Sequence, residues 1–372
     1  MKVAYEATAL LGNRTGVGEF CYGALEALAN LDELDVTAFA ISYRRRHLLK
    51  EHLPANVAFG NWIMPARPLH KLWKRSEFPP VELWSGRIDL IHGTNFVVPP
   101  AKSAVRVVTV HDLTTLRFPE ICNPPTLVFP EMIRRAAGSG AYIHTPSEFI
   151  RQEVIQNFDI DPDRVVAVHH GIPALCHNRF FGEDAEVSGL LGKRFLLAMG
   201  TIEPRKDFPL LVRAFGKIAD KFPDLYLVIA GQDGWGSLQL SDEIEKSKYV
   251  SRIIRLGYVN PATRSWLMKN AETFVYPSVY EGFGFPPLEA MTFGTPVVSS
   301  TAGSLPEVLG QDSALMFPPG DQSKLEVLLD ELLSDDETRA KYREAGRRHS
   351  LQFSWEKCGQ GLLYLYRSAV ER

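Results

Sequence analysis

The chain has few cysteines and no excess of positive charge, and both shortages exclude classes of protein. Its 372 residues include four cysteines, Cys21, Cys122, Cys176 and Cys358, and no two of them form a C-x-x-C pair. Neither a zinc site nor a disulfide framework is therefore predicted. The formal net charge is −3, which argues against a general nucleic-acid-binding protein, because such proteins usually carry a basic excess.

Long apolar runs are missing as well. No stretch of about 18 apolar residues occurs, and Met1–Glu6 begins no run that would serve as a signal peptide. We therefore expect a cytoplasmic protein. Hydrophobic residues make up 45% of the chain, which is typical of a globular protein. The length of 372 residues exceeds one ordinary core, so two domains of roughly 150–200 residues each are expected.

Short apolar segments alternate with amphipathic ones in both halves of the chain. Predicted strands include Val3–Tyr5 and Val105–Val110 in the first half, and Arg194–Met199 and Thr273–Tyr276 in the second. Strands that alternate with helices in this way predict an α/β fold with two doubly wound parallel sheets. The segment Pro173–Gly192 has glycines, charges and little periodicity, so it is the predicted linker.

The stretch from Tyr276 to Met291 has the composition of a binding site. An apolar strand is followed by a loop that contains Gly282 and Gly284, and then by Pro286-Pro287, where a helix can begin. A strand, a glycine-bearing loop and a helix N-terminus together point backbone N–H groups toward a bound anion.

Four charged residues are expected to meet at this site. Glu281 precedes the predicted helix and Glu289 lies inside it, so a ribose diol and a sugar hydroxyl are suitable partners for the two carboxylates. Arg205 and Lys206 lie in another loop that follows a strand, and parallel strands end at the same edge of a sheet. These cations would stabilise the negative charge that grows on a departing diphosphate.

Two features of the first half are less specific. The loop Gly12–Gly18 lies between a predicted strand and a helix, as a phosphate-binding loop does, but Cys21 stands where a dinucleotide fingerprint has its third glycine. A simple tight turn is the alternative. His111 follows a predicted strand and is placed at the ligand-binding edge of a sheet, although an isolated histidine is as often structural.

The segment Ser42–Arg75 is strongly basic. It carries eight basic residues against one acidic residue, Glu51, and they are interleaved with Trp62, Trp73 and several aliphatic residues. Basic residues among exposed aromatics indicate contact with an anionic membrane surface or an anionic acceptor. An ordinary solvated surface is the alternative.

Five strings of residues resemble those of glycosyltransferase family 4, namely Gly200–Asp207, Gly257–Val259, Glu281–Ala290, Gly16–Gly18 and Thr109–Leu113. The resemblance covers nearly the whole chain, and its C-terminal strings are the most specific. It implies the GT-B fold, in which two Rossmann-like domains face each other across a cleft. Residues 1–180 would form the acceptor-binding domain and residues 181–354 the donor-binding domain, with a final helix, 355–372, packed back on the first domain.

The resemblance also implies roles for individual residues. Arg205 and Lys206 would hold the donor diphosphate, Glu281 would bind a hydroxyl of the donor sugar, Glu289 would bind the ribose, and His111 would contact the transferred sugar. The residues implied to bind the donor are Gly16, Gly18, Gly200, Thr201, Tyr258, Val259, Gly282, Phe283, Gly284, Phe285, Leu288 and Glu289. No resident cofactor and no metal are expected, and we expect the chain to contain no D-x-D metal motif, because the cations replace it.

The function implied is a retaining hexosyltransferase that acts on a glycan or lipid-linked acceptor. The strings Glu203–Lys206 and His111–Leu113 look most like those of mannosyltransferases in polysaccharide or glycolipid assembly, so GDP-mannose is the expected donor. A cytoplasmic enzyme of this kind would contact the inner face of the membrane through residues 42–75. The alternatives are a nucleotide-sugar epimerase on the same two-domain fold and a dinucleotide oxidoreductase, which the missing third glycine disfavours.

Overall fold

The computed structural model describes residues 1–12, 16–172 and 187–371, and these form two α/β units. The N-terminal domain comprises Met1–Gly171 together with Phe353–Arg372, and the C-terminal domain comprises Ile172–Gln352. The boundary predicted between residues 180 and 181, most of the predicted linker and Cys176 lie outside the described residues, so that boundary stays a prediction.

The N-terminal domain is built on a parallel sheet of seven strands. In chain order the strands are β1 (Lys2–Glu6), β2 (Asp35–Phe39), β3 (Ala58–Gly60), β4 (Leu90–Gly93), β5 (Val105–Thr109), β6 (Tyr142–Thr145) and β7 (Val165–Ala167). Their order across the sheet is β3-β2-β1-β4-β5-β6-β7, and every neighbouring pair is parallel. The order therefore reverses between β1 and β4.

The C-terminal domain repeats this plan with six parallel strands. They are β8 (Arg194–Met199), β9 (Leu225–Ala230), β10 (Ile253–Gly257), β11 (Thr273–Tyr276), β12 (Val297–Ser300) and β13 (Leu315–Phe317). Their order across the sheet is β10-β9-β8-β11-β12-β13, so the reversal lies between β8 and β11. The predicted α/β fold with two doubly wound parallel sheets is confirmed.

Helices connect the strands in both domains. In chain order they are α1 (Gly16–Ala29), α2 (Ala66–Trp73), α3 (Glu82–Ser85), α4 (Thr114–Arg117), α5 (Phe129–Gly138), α6 (Glu148–Phe158), α7 (Phe208–Ile218), α8 (Ser237–Lys246), α9 (Pro261–Asn270), α10 (Phe285–Thr292), α11 (Leu305–Leu309), α12 (Gln322–Ser334), α13 (Asp336–Ser350) and α14 (Trp355–Glu371). Among the described residues, no helix is both long enough and apolar enough to cross a bilayer.

Side-chain caps fix the start of several of these helices. The Ser147 hydroxyl accepts a hydrogen bond from the backbone N–H of Ile150 at the start of α6. Asp207 caps α7 and Ser354 caps α14 in the same way. Such a cap satisfies an N–H group that has no partner inside the helix, which is why serine and aspartate at these positions predict the helix starts from sequence.

The prediction of a glycine loop before α1 is partly wrong. Helix α1 already begins at Gly16, so Gly16 and Gly18 occupy its first turn and do not lie in a preceding loop. Glu19 in the same turn favours a helix start here, because a negative charge is stabilised near the positive end of the helix dipole. Residues 13–15 of the predicted loop lie outside the described residues.

Helix α14 belongs to the N-terminal domain, although the C-terminal domain separates it in sequence from the rest of that domain. It packs on α1, where Gly23 leaves room for an indole: a Cβ there would lie 2.1 Å from the Trp355 ring. The backbones also approach closely at the start of α14, since a Cβ on Gly171 would lie 2.3 Å from the backbone nitrogen of Trp355. The chain therefore leaves this domain and returns to it at adjacent points.

Candidate active site

The loops that follow β8 and β11 meet at the carboxyl edge of the C-terminal sheet. The backbone N–H of Val279 donates to the carbonyl of Arg205 at 2.8 Å, and Arg205 Nη1 donates to the carbonyl of Tyr280 at 2.8 Å. Because the strand order reverses between β8 and β11, this edge is the topological switch point, where open α/β sheets bind their ligands.

A buried carboxylate joins the two cations of this edge. Glu281 Oε1 lies 2.6 Å from Lys206 Nζ, and Glu281 Oε2 lies 2.7 Å from Arg205 Nη1. Lys206 Nζ also donates to the hydroxyl of Tyr276 at 2.5 Å, while Glu203 lies 3.4 Å from Arg205 Nη2. The sequence predicts that Arg205, Lys206 and Glu281 lie at one edge of the sheet, and in the structure their charged groups are in direct contact.

The charges in this cluster perturb one another. Burial alone would raise the pKa of Glu281, but the positive charges of Arg205 and Lys206 outweigh burial and lower that pKa to about 2. Burial lowers the pKa of Lys206, and the charge of Arg205 lowers it further against the opposing effect of Glu281. Burial also raises the pKa of Tyr276, so this hydroxyl stays neutral. At neutral pH the Glu281 carboxylate is therefore ionised where it lies between Arg205 and Lys206.

A third loop, which follows β12, fixes the backbone of Glu281. Ser304 donates to the carbonyl of Glu281 from its backbone N–H at 3.0 Å and from its hydroxyl at 3.1 Å. Gly303 has a φ of +60°, and a Cβ there would lie 2.2 Å from the same carbonyl oxygen. Only glycine permits this approach. Sequence analysis did not find Gly303 and Ser304, because their role depends on a contact between two loops distant in the sequence.

The glycine loop between Glu281 and α10 is compact. Gly284 has a φ of +101°, a conformation that residues with a side chain rarely adopt, and it directly precedes the helix. Phe283 and Phe285 are buried, with ring centroids 5.1 Å apart, and Leu288 lies in the core. Gly282 is also buried. The loop therefore turns tightly into the N-terminus of α10, as its sequence predicts.

Glu289 lies inside α10 with its side chain buried. It forms an ion pair with Arg264 of α9, a partner that the sequence analysis missed. Arg264 sits at the fourth position of a helix that Asn260 caps, and nothing in the local sequence marks it as a partner of a residue 25 positions away. The pair holds the Glu289 carboxylate in place on the face of α10 that meets α9.

The predicted donor residues near Gly200 lie beside the loop that follows β9. Gly231 has a φ of +154°, and a Cβ there would lie 1.9 Å from the carbonyl oxygen of Gly200. Ile202 then donates its backbone N–H to the carbonyl of Gln232 at 3.0 Å. Thr201 is half-buried within this pair of loops. After β10, Tyr258 is 56% exposed and Val259 is buried, so the Tyr258 ring is accessible to a ligand.

The remaining predicted residues belong to the N-terminal domain. His111 follows β5, and its Nε2 lies 2.8 Å from the carbonyl oxygen of Thr94. Burial lowers the pKa of His111, so the imidazole is neutral at neutral pH. Gly16 and Gly18 lie at the start of α1 in the same domain. The contacts of these three residues with a donor stay predictions.

One sequence expectation about metal motifs is wrong. A literal D-x-D string does occur, at Asp159-Ile160-Asp161, and Asp163 extends it. It lies just after α6 in the N-terminal domain, where Asp161 caps a short 3-10 helix by accepting from the N–H of Asp163. Within the described residues, no group of three or more His, Cys, Asp or Glu side chains could hold a metal ion.

The basic segment 42–75 differs from the prediction in which of its apolar side chains are exposed. Trp73 is fully buried and Trp62 packs on Phe39, with ring centroids 4.6 Å apart, so the tryptophans are not the exposed apolar groups of the segment. The exposed large hydrophobic side chains are instead Tyr43, Ile63 and Leu72, which are 58%, 52% and 43% exposed. Burial of a large indole ring gains more free energy than burial of a smaller aliphatic side chain, which is why the two tryptophans are covered.

Comparison with known families matches both halves of the chain. Residues 14–174 match a family model described as Glycosyltransferase Family 4, and residues 181–349 match a model described as Glycosyl transferases group 1. The two matches together span both domains.

Named relatives agree with these models. The chain is 33% identical to O-antigen chain mannosyltransferase B of Escherichia coli over 75% of its own length and 74% of the relative's. It is 28% identical to the MMP alpha-(1->4)-mannosyltransferase of Mycolicibacterium hassiacum, over 66% of its own length and 58% of the relative's. These names give no support to the epimerase alternative.

Among solved structures, the Anabaena protein HepE in complex with UDP and glucose is similar in fold. Its TM-score is 0.73 at 18% sequence identity, with 98% of each chain covered. At this identity the likeness concerns the fold alone.

Proposed function

The chain belongs to glycosyltransferase family 4, and from this premise we propose that it transfers mannose from GDP-mannose to a hydroxyl of a glycan or lipid-linked acceptor, with retention of configuration. Two relatives named as mannosyltransferases support the choice of sugar. The observation that carries the proposal is the cluster of Arg205, Lys206 and Glu281 at the switch point of the C-terminal sheet. It supplies two fixed cations where a nucleotide sugar would place its diphosphate.

The cluster explains how the donor bond would break. When the bond between the sugar and the diphosphate breaks, negative charge grows on the phosphate oxygen, and Arg205 and Lys206 stabilise it. Glu281 holds both cations in position beforehand, so little reorganisation is needed during the reaction. Each carboxylate oxygen has a second lone pair, with which Glu281 accepts a hydrogen bond from a donor-sugar hydroxyl. The acceptor attacks the face that the diphosphate leaves and gives its proton to the leaving phosphate.

The same cluster makes a metal ion unnecessary in this proposal. In glycosyltransferases that use a metal, the ion neutralises the diphosphate. Here two side-chain cations carry this role, and no resident cofactor is proposed. Glu289 would accept hydrogen bonds from the hydroxyls of the ribose. The exposed Tyr258 would contact the base, and His111 would contact the transferred sugar.

A panel of nucleotide sugars tests the donor. We expect GDP-mannose to raise the Tm of the protein by several degrees, because a ligand at a hundredfold excess over its Kd stabilises by about 2.7 kcal/mol. UDP-, ADP- and TDP-sugars serve as matched ligands. A shift with a UDP-sugar and none with GDP-mannose would overturn the donor assignment. Release of nucleoside diphosphate that depends on an added acceptor would separate transfer from epimerisation.

We further propose that the basic face of α2 contacts the anionic surface of a membrane that carries the acceptor. Arg67, Lys71 and Lys74 follow one another at the spacing of helix turns, and all three are exposed beside Leu72. Leu69 and Trp73 anchor the opposite face of the helix in the domain. Positive charge beside an exposed aliphatic side chain is complementary to an anionic lipid surface.

Charge reversal on α2 tests the membrane contact. The double variant Lys71→Glu and Lys74→Glu is expected to lose at least tenfold in binding to phosphatidylglycerol vesicles, since each basic residue near such a surface contributes about 1 kcal/mol. Co-sedimentation with phosphatidylglycerol and phosphatidylcholine vesicles measures the difference. The control reverses two exposed lysines of the C-terminal domain, Lys217 and Lys246. Equal losses in both double variants would show that only net charge matters.

A further inference from the structure

Each of the two sheets has a point at which its strand order reverses. A glutamate lies beside that point in both domains. In the C-terminal sheet the strand order reverses between β8 and β11, and Glu281 follows β11. In the N-terminal sheet the order reverses between β1 and β4. The last residue of β1 is Glu6, and Thr94 directly follows β4. The ligand-binding edge of the first domain is therefore flanked by a carboxylate, as it is in the second.

Glu6 is buried with few hydrogen-bond donors around its carboxylate. It is 5% exposed, and its Oε1 accepts the backbone N–H of Thr8 at 2.8 Å. The hydroxyl of Thr94 lies 3.5 Å from Oε2 but only 2.8 Å from the backbone carbonyl oxygen of Glu6, so it donates its stronger hydrogen bond to the carbonyl. No ion pair joins Glu6 to another residue of the described ranges. A carboxylate has about four acceptor positions, and the donors from Thr8 and Thr94 leave at least one of them for a ligand hydroxyl.

The surroundings of the two glutamates shift their pKa values in opposite directions. Glu281 contacts two cations, which lower its pKa to about 2 despite its burial. Burial raises the pKa of Glu6, and the hydrogen bonds from Thr8 and Thr94 only partly oppose this. The C-terminal edge is therefore built for an anion. The N-terminal edge would repel an anion next to Glu6 and favours a neutral group that can donate a hydrogen bond.

The backbone around Glu6 is shaped for close approach. A Cβ on Gly93 would lie 2.0 Å from the carbonyl oxygen of Val97, so the chain turns back sharply after β4. Phe96 in this turn has a φ of +59°, which costs free energy in a residue with a bulky side chain. His111 fixes the turn through the carbonyl of Thr94. Backbone strain of this kind is found preferentially at functional sites.

We propose that Glu6 is an acceptor-binding residue whose carboxylate accepts a hydrogen bond from a neutral hydroxyl of the acceptor sugar. This inference rests on the proposed glycosyltransferase function and assigns a residue to its second substrate. Glu6 binds and orients that hydroxyl, and the proton transfer itself stays with the departing phosphate.

Direct binding of a neutral glycoside tests the inference without turnover. The probe is methyl α-D-mannopyranoside, followed by ligand-detected NMR with GDP present. We expect Glu6→Gln to raise the Kd of the glycoside about tenfold, because it replaces an oxygen that accepts the sugar hydroxyl with an amide N–H donor. The glutamine keeps an oxygen for the N–H of Thr8, so the fold should survive. In the transfer assay the same variant should raise KM for the acceptor more than it lowers kcat.

Another buried glutamate of the same domain is the matched control. Glu153 lies in α6, is 6% exposed and forms an ion pair of 2.6 Å with Arg117. Glu153→Gln is expected to lower Tm and to leave the glycoside Kd unchanged. An unchanged Kd in Glu6→Gln, equal losses in both variants, or no glycoside binding by the wild type would each overturn the role of Glu6. Failure of the donor proposal would show separately, in the nucleotide panel.

Discussion

Replacing Lys206 by Ala is expected to lower turnover by about 10²-fold or more, with a much smaller effect on acceptor KM. Removal of one preorganised donor from a site that stabilises developing charge costs on this order. The ammonium lies 2.6 Å from Glu281 in a buried site, where its charge acts at low dielectric. The loss should therefore appear in kcat, because the charge on the phosphate oxygen grows as the bond breaks.

An exposed lysine of the same domain provides the control for this result. Lys221 pairs with Asp330 at 2.6 Å on the surface, so Lys221→Ala removes an equal charge and an ion pair of similar length. It should retain wild-type turnover. Because Lys206→Ala also leaves Glu281 with one cation instead of two, Tm is measured for both variants. Near-wild-type turnover in a folded Lys206→Ala protein would remove Lys206 from the mechanism.

Replacing Glu289 by Ala is expected to weaken the binding of nucleoside diphosphate itself by roughly 10- to 100-fold. A hydrogen bond to a charged group contributes about 1.5–3 kcal/mol, and a ribose diol offers two hydroxyls to one carboxylate. The affinity for GDP is measured by calorimetry without any acceptor. The corresponding 2′,3′-dideoxynucleotide should bind the wild type and the variant almost equally, since it lacks both hydroxyls.

The ion pair of Glu289 with Arg264 requires its own control, because loss of a buried partner also lowers stability. Glu272 is a suitable match: it is a partly buried glutamate of the same domain that pairs with Arg194 at 2.7 Å. Glu272→Ala should lower Tm and leave the affinity for GDP unchanged. An unchanged GDP affinity in a folded Glu289→Ala protein would refute the ribose assignment.

Local patterns predicted those parts of the site that lie within one loop or one turn of helix. The strand at Thr273–Tyr276 has the predicted bounds, and α10 begins one residue before Pro286-Pro287. The contact of Arg205 and Lys206 with Glu281 was also predictable, because parallel strands bring their following loops to one edge. For these features, hydrophobic period and sheet topology were sufficient.

Contacts between distant segments were not predictable from local patterns. Arg264 meets Glu289 across two helices, and Gly303 meets Glu281 across two loops. In the basic segment, period and composition did not show that Trp73 would be buried and Leu72 exposed. The short strands β3 and β13 lack the length that makes a strand visible in sequence. Glu6 was not predicted as a site residue, because only the strand order shows that the end of β1 lies where the N-terminal sheet reverses.

The close contact between Gly171 and Trp355 has a consequence for the covalent architecture. The chain departs from the N-terminal domain and rejoins it side by side, so the C-terminal domain is an insertion within the first domain and does not simply follow it. Domain insertions of this kind are tolerated where the two junctions lie close together in the host. Helix α14 completes the host domain and follows the inserted domain in the chain, so a nascent chain completes its C-terminal domain before its N-terminal domain.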